Sequence, residues 1–126
     1  MPTILLIEDE APILHTLSRF FRLEGLEVLS AGNGAVGLAL ARAHLPDIIV
    51  CDLLMPELDG YQVLSSLRSD ARTARIPFIL LTASAAPEEQ QAGLQRGATA
   101  FLSKPFHLDE VRAAIARHLP TPAGAA

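Results

Sequence analysis

Short apolar runs alternate with amphipathic stretches along this chain, and the two differ in period. Thr3 to Ile7, Leu26 to Ala31, Asp47 to Cys51, Ile76 to Leu81 and Thr99 to Ser103 are compact and mostly rich in branched side chains, as strands are. Ile48 to Cys51 and Phe78 to Leu81 are apolar at every position rather than alternating, which predicts strands covered on both faces of a parallel sheet. Between these runs the apolar positions recur every three to four residues, at Ile13, Leu14, Leu17, Phe20 and Phe21, and again at Val36, Leu40 and Ala43 after Asn33-Gly34. Leu64 with Leu67, then Leu94, then Leu108, Val111, Ile115 and Leu119 predict three further helices. Pro87 followed by Glu88 and Glu89 suits a helix start, where a missing N–H costs nothing and negative charge meets the positive end of the dipole.

Five strands each followed by a helix predict an α/β flavodoxin-like (βα)5 three-layer sandwich, with a five-stranded parallel sheet in the order 2-1-3-4-5. The domain is expected over residues 1–119, with residues 120–126 as a flexible C-terminal tail or the start of a linker, since Pro120 to Ala126 offers turn formers and nothing to bury. At 126 residues, half of them apolar, the chain has material for one core. The formal net charge of −4 is mild and its charges are scattered, so direct nucleic acid binding is not expected. No run approaches the ~20 apolar residues of a membrane span, and the expected location is cytoplasmic. The single cysteine, Cys51, reads as a core residue. The four histidines fall on separate elements and form no ligand set.

The chemistry lies where the strands stop. In open parallel sheets ligands bind beyond the C-terminal strand edges, near the point where strand order reverses, and the first and third strands flank that point. Glu8 and Asp9 follow the first strand and Asp52 ends the third, so three carboxylates approach one crevice. Their mutual repulsion is poorly explained by a core or a solvated edge. Mg2+ explains it better, because it takes hard oxygen ligands and is commonly held by one or two carboxylates together with a phosphoryl group. Glu10 is left to the helix that follows. Thr82 and Lys104 stand at the ends of the fourth and fifth strands on the same edge, and supply the hydroxyl and ammonium that a phosphoryl group needs for its remaining oxygens.

With these residues in place the chain resembles the CheY-like receiver domains of two-component response regulators, from about Thr3 to Leu119. The resemblance is carried by "IEDE" after the first strand, "CDLLMPELDG" after the third, "LLTA" after the fourth and "GATAFLSKPF" through the fifth. It implies that Asp52 is the phosphoacceptor, taking its phosphoryl group from a sensor histidine kinase or histidine phosphotransfer protein. Glu8, Asp9, Asp52 and the backbone carbonyl of Leu54 would hold Mg2+. Thr82, the Ala83 backbone N–H and Lys104 would bind the phosphoryl oxygens, and Lys104-Pro105 would be a cis peptide. Such a domain promotes its own phosphorylation and dephosphorylation without turning over a substrate as an enzyme does. A new anion at Asp52 would draw Thr82 inward and let Phe101, the residue matching the family's switch aromatic, turn into the vacated space. The altered surface of the fourth helix, fifth strand and fifth helix would then control a downstream target or fused output domain, with the domain a monomer or a phosphorylation-favoured dimer through that face. Leu54 and Ser84 match positions that influence how long the acyl phosphate lasts.

Other readings fit less well. Strand-end Asp hydrolases place a second Asp two residues on as general acid, and here that residue is Leu54. A nucleotide or flavin protein would show a Gly-rich loop after the first strand, where this chain has Glu8-Asp9-Glu10. A receiver-like docking module that works without phosphorylation is the remaining alternative.

Overall fold

A computed structural model describes residues 1–83 and 86–119. Its elements run β1 (Thr3–Ile7), α1 (Ala11–Leu23), β2 (Glu27–Ala31), α2 (Gly34–His44), β3 (Ile48–Asp52), α3 (Gly60–Arg68), β4 (Phe78–Thr82), α4 (Pro87–Gln95), β5 (Ala100–Ser103) and α5 (Leu108–His118). The strands form one parallel sheet in the order β2-β1-β3-β4-β5, as the alternation of periods predicts. The tail expected at 120–126 lies outside the described residues.

Two strand ends extend one residue further than the apolar runs. Asp52 pairs in register with Leu81, and Thr82 with Ser103. The ladder continues although the side chains have turned polar, because backbone pairing needs only the N–H and C=O of each residue. Four strand starts are later than the runs suggest, at Glu27, Ile48, Phe78 and Ala100. Before β3 the Asp47 carboxylate accepts from the Thr3 N–H at 2.7 Å, and before β4 Pro77 has no N–H to give a ladder.

Period-two alternation sorts the strand side chains into two cores. Leu5, Ile7, Ile49, Cys51, Phe78 and Leu80 pack with Leu38 and Ala41 of α2 and Val63, Leu64 and Leu67 of α3. Ile4, Leu6, Ile48, Val50, Ile79 and Leu81 pack on the other face with Leu17 and Phe21 of α1 and Val111 and Ile115 of α5. Burying each such side chain stabilises by about 1.5 to 3 kcal/mol, so β1, β3 and β4 form the stiff centre of the sheet. At its far end the Arg68 guanidinium donates to the carbonyls of Ile76 at 2.8 Å and Gly97 at 3.0 Å, tying the entries of β4 and β5 to α3.

Helix α4 is held differently. Of its nine residues only Gly93 is buried, and Gly93 is where the Phe101 ring of β5 lies; a Cβ there would overlap the ring. An alanine in a helix is ordinarily favoured over glycine by about 1 kcal/mol, but here the ring opposes that gain. Gly93→Ala is expected to lower the unfolding free energy in the parent background and to be neutral or stabilising when Phe101 is already Ala. Urea unfolding of the four proteins of this cycle checks the coupling, expected at about 0.5 to 3 kcal/mol.

Candidate phosphoacceptor and metal site

The C-terminal ends of β1 and β3 bring three carboxylates together. Oxygens of Glu8, Asp9 and Asp52 all lie within 4.8 Å of one another. Glu8 and Asp52 are buried, whereas Asp9 is exposed. Glu10 stands apart as the N-cap residue of α1, exposed, with no side-chain capping bond. The Glu8 backbone is fixed by its N–H to the carbonyl of Ala31 at 3.0 Å.

Lys104 enters from the end of β5. Its backbone N–H donates to the Thr82 carbonyl at 2.7 Å, and the Lys104–Pro105 peptide is cis. Its ammonium lies 2.9 Å from Glu8 Oε1 and 3.1 Å from Asp52 Oδ2, so it bridges the two buried acids. Thr82 is buried beside them and is not without a partner. Ala83 is exposed at the rim. The Leu54 side chain is 70% exposed and points apolar surface toward solvent at the mouth of the site. Phe101 is half-buried against the core and the Gly93 backbone. Ser84 lies outside the described residues.

Reasoning from sequence assigned no role to Gly60, yet it shapes the loop that carries Asp52. A Cβ at Gly60 would come within 2.6 Å of the Asp52 carbonyl oxygen and 2.9 Å of Leu53 Cα, both backbone atoms that cannot swing away. Its N–H donates to the Leu53 carbonyl at 2.8 Å. Asp59 before it closes a capping box with Gln62, at 2.9 and 2.8 Å. That D-x-x-Q spacing is the one local signal for the start of α3; the close approach to β3 is non-local. Glu57 completes the loop in the left-handed region at φ 69°, inside a tight turn from the Leu58 N–H to the Pro56 carbonyl at 2.8 Å.

Burial pushes the Glu8 carboxyl up, and its hydrogen bond to Asp52 adds to this; Lys104 pulls it back down, leaving it near 7 instead of 4.5. Burial acts to lower the Lys104 ammonium, but Glu8 and Asp52 outweigh it and hold the group above its ordinary value. Between about 4.5 and about 7 the folded protein therefore keeps a proton on Glu8 that the unfolded chain has released. Stability must fall as pH rises through that window, by on the order of 3 kcal/mol from this group. Unfolding in chelator across pH should show that slope in the parent, and Glu8→Gln should remove it.

The same arrangement of strands and helices recurs among known proteins. The model of the response regulator receiver domain matches residues 4–116. The DNA-binding dual master transcriptional regulator RpaA of Synechocystis is 39% identical over 115 residues, covering 91% of this chain and 48% of its own. The chain spans about half the length of such curated relatives. Among solved structures, the chemotaxis protein CheY4 of Vibrio cholerae matches with a TM-score of 0.90 at 30% identity, over 94% of this chain and 99% of its own. The receiver domain of sensor histidine kinase PA1611 from Pseudomonas aeruginosa, solved with a magnesium ion in its active-site cleft, matches with a TM-score of 0.86 at 29% identity, over 95% and 98%. With a family model matching residues 4–116 and the fold matched over nearly the whole chain, the chain belongs to the receiver-domain family of two-component response regulators.

Proposed function

We propose that this domain is a phosphorylation-controlled signalling switch in which Asp52 accepts a phosphoryl group from a phosphohistidine donor. The observation that carries the reading is the Lys104 ammonium set between two buried acids, Glu8 and Asp52, with the Asp9 carboxylate beside them. Hard oxygen donors converging with one exposed member fit a magnesium site that keeps several waters. Glu8, Asp9, Asp52 and the Leu54 carbonyl would hold the ion, which when bound would neutralise charge on the transferring phosphoryl group.

The protein's own part is positioning. A carboxylate oxygen of Asp52 bonds to phosphorus as the bond to the donor's imidazole nitrogen breaks; the electron pair stays with the imidazole, and an acyl phosphate remains on Asp52. Transfer of this kind goes through a loose transition state, so catalysis rests on alignment and charge neutralisation. β3 holds Asp52 rigid through its register with β4. Lys104 offsets the negative charge that grows there, and Thr82 and the Ala83 N–H receive the remaining phosphoryl oxygens. A histidine kinase or histidine phosphotransfer protein would donate, and the α4-β5-α5 surface would carry the signal to a target or output domain, or to a second copy of the domain. Among the described residues no helix is long and apolar enough to cross a membrane. Relatives of twice this length include DNA-binding regulators; for this domain itself we favour a protein partner, its charge being mildly negative.

Incubation with a small phosphodonor and Mg2+ should add the mass of one phosphoryl group, and Asp52→Asn should abolish the gain. No gain under saturating donor would favour a docking module independent of phosphorylation. Leu54 at the mouth should impede the attacking water, so Leu54→Asn should shorten the phosphate lifetime; equal or slower loss would count against that role. Phe101→Ala should weaken partner binding and leave the extent of phosphorylation nearly unchanged.

A further inference from the structure

Helix α4 is the expected output element and also the most lightly anchored one, with Gly93 its only buried residue and no side-chain cap from Ala86 at its start. What crosses to it from α3 is Tyr61. The half-buried Tyr61 ring stands beneath the Arg96 guanidinium, at the C-cap of α4, with the guanidinium carbon 4.4 Å from the ring centroid. At the other end of the helix the Tyr61 hydroxyl donates a long hydrogen bond, 3.5 Å, to the Glu89 carbonyl in the first turn. One side chain therefore touches both ends of α4. Beside it a cavity of about 500 Å³, lined by Leu53, Leu54, Tyr61, Thr82, Glu89 and Ala92, separates α4 from the loop after Asp52.

We propose that Tyr61 and Arg96 form a latch that holds α4 in its unphosphorylated position, and that the strength of this latch sets how readily the domain switches. The inference rests on the reading of Asp52 as phosphoacceptor. Both contacts are weak and exposed to solvent on the Arg96 side, as a latch that must release requires; a buried ion pair would lock the helix. Among the described residues the cleft offers α4 space on its site-facing side. Tyr61 and Arg96 touch no reacting atom and act only by positioning α4.

Linkage makes the proposal testable without knowing the partner. A group that stabilises only the unphosphorylated arrangement lowers the affinity for any ligand that favours the other. Beryllofluoride, a mimic of the phosphoryl group, can be titrated with Mg2+ and followed by 19F NMR, alongside hydrogen exchange of α4 amides in the unliganded protein. Arg96→Gln, at an exposed position, and Tyr61→Leu should each speed α4 exchange and raise beryllofluoride affinity about two- to fivefold, the worth of an exposed cation–π contact. A merely structural role would lower stability without tightening the ligand. Unchanged α4 exchange and unchanged or weaker affinity in Arg96→Gln would overturn the latch, even if Tyr61→Leu failed to fold. If the parent bound no beryllofluoride, the assignment of Asp52 would fall, while α4 exchange in the unliganded variants would still decide whether Tyr61 and Arg96 hold the helix.

Discussion

Lys104 places one ammonium between two buried carboxylates, 2.9 Å from Glu8 and 3.1 Å from Asp52, and the arrangement of the site follows from that single cation. Two acids at adjoining strand ends would otherwise repel in a poorly solvated crevice. With Lys104 present, one positive charge serves two negative ones, and a third acid, Asp9, remains exposed. The site is therefore short of positive charge, which is the condition under which a divalent cation gains most by binding. Burial, with the neighbouring Asp52 adding to it, raises the Glu8 carboxyl to about 7 even with Lys104 opposing the shift.

The sheet makes this possible. Three acids can be forced together only because β1 and β3 are adjacent, register-locked and buried on both faces. The energy comes from apolar side chains that alternate into two cores, and the strand ends exploit it. Helix α4 is the opposite case: Gly93 is its one buried residue, the Phe101 ring abuts it there, and Tyr61 reaches it from α3. A stiff centre with a lightly buried edge suits the switch proposed above.

Strand number, strand order and the meeting of Glu8, Asp9 and Asp52 were legible in the sequence because they follow from period and from the rule that places ligands at strand ends. The strand limits were less so, since apolar patterning stops at Cys51 and Leu81 while the ladder runs on to Asp52 and Thr82. Gly60, Gly93 and the Tyr61–Arg96 contact were not legible at all. Each depends on how closely two distant segments approach, and a glycine that makes room for backbone reads the same in sequence as one that ends a helix. Lys104 and both acids were expected on one edge, but the contact of a single ammonium with Glu8 and Asp52 together depends on side-chain reach, which strand order does not fix.

Lys104 and a divalent cation would do the same electrostatic work on one acidic cluster. Equilibrium unfolding of Lys104→Met above neutral pH, in chelator and then in Mg2+, separates the two. The account predicts a loss of about 2 to 3 kcal/mol in chelator, as expected when buried carboxylates lose a charged partner, and recovery of most of that loss on adding Mg2+. A variant whose stability matched the parent in chelator and did not respond to Mg2+ would contradict it.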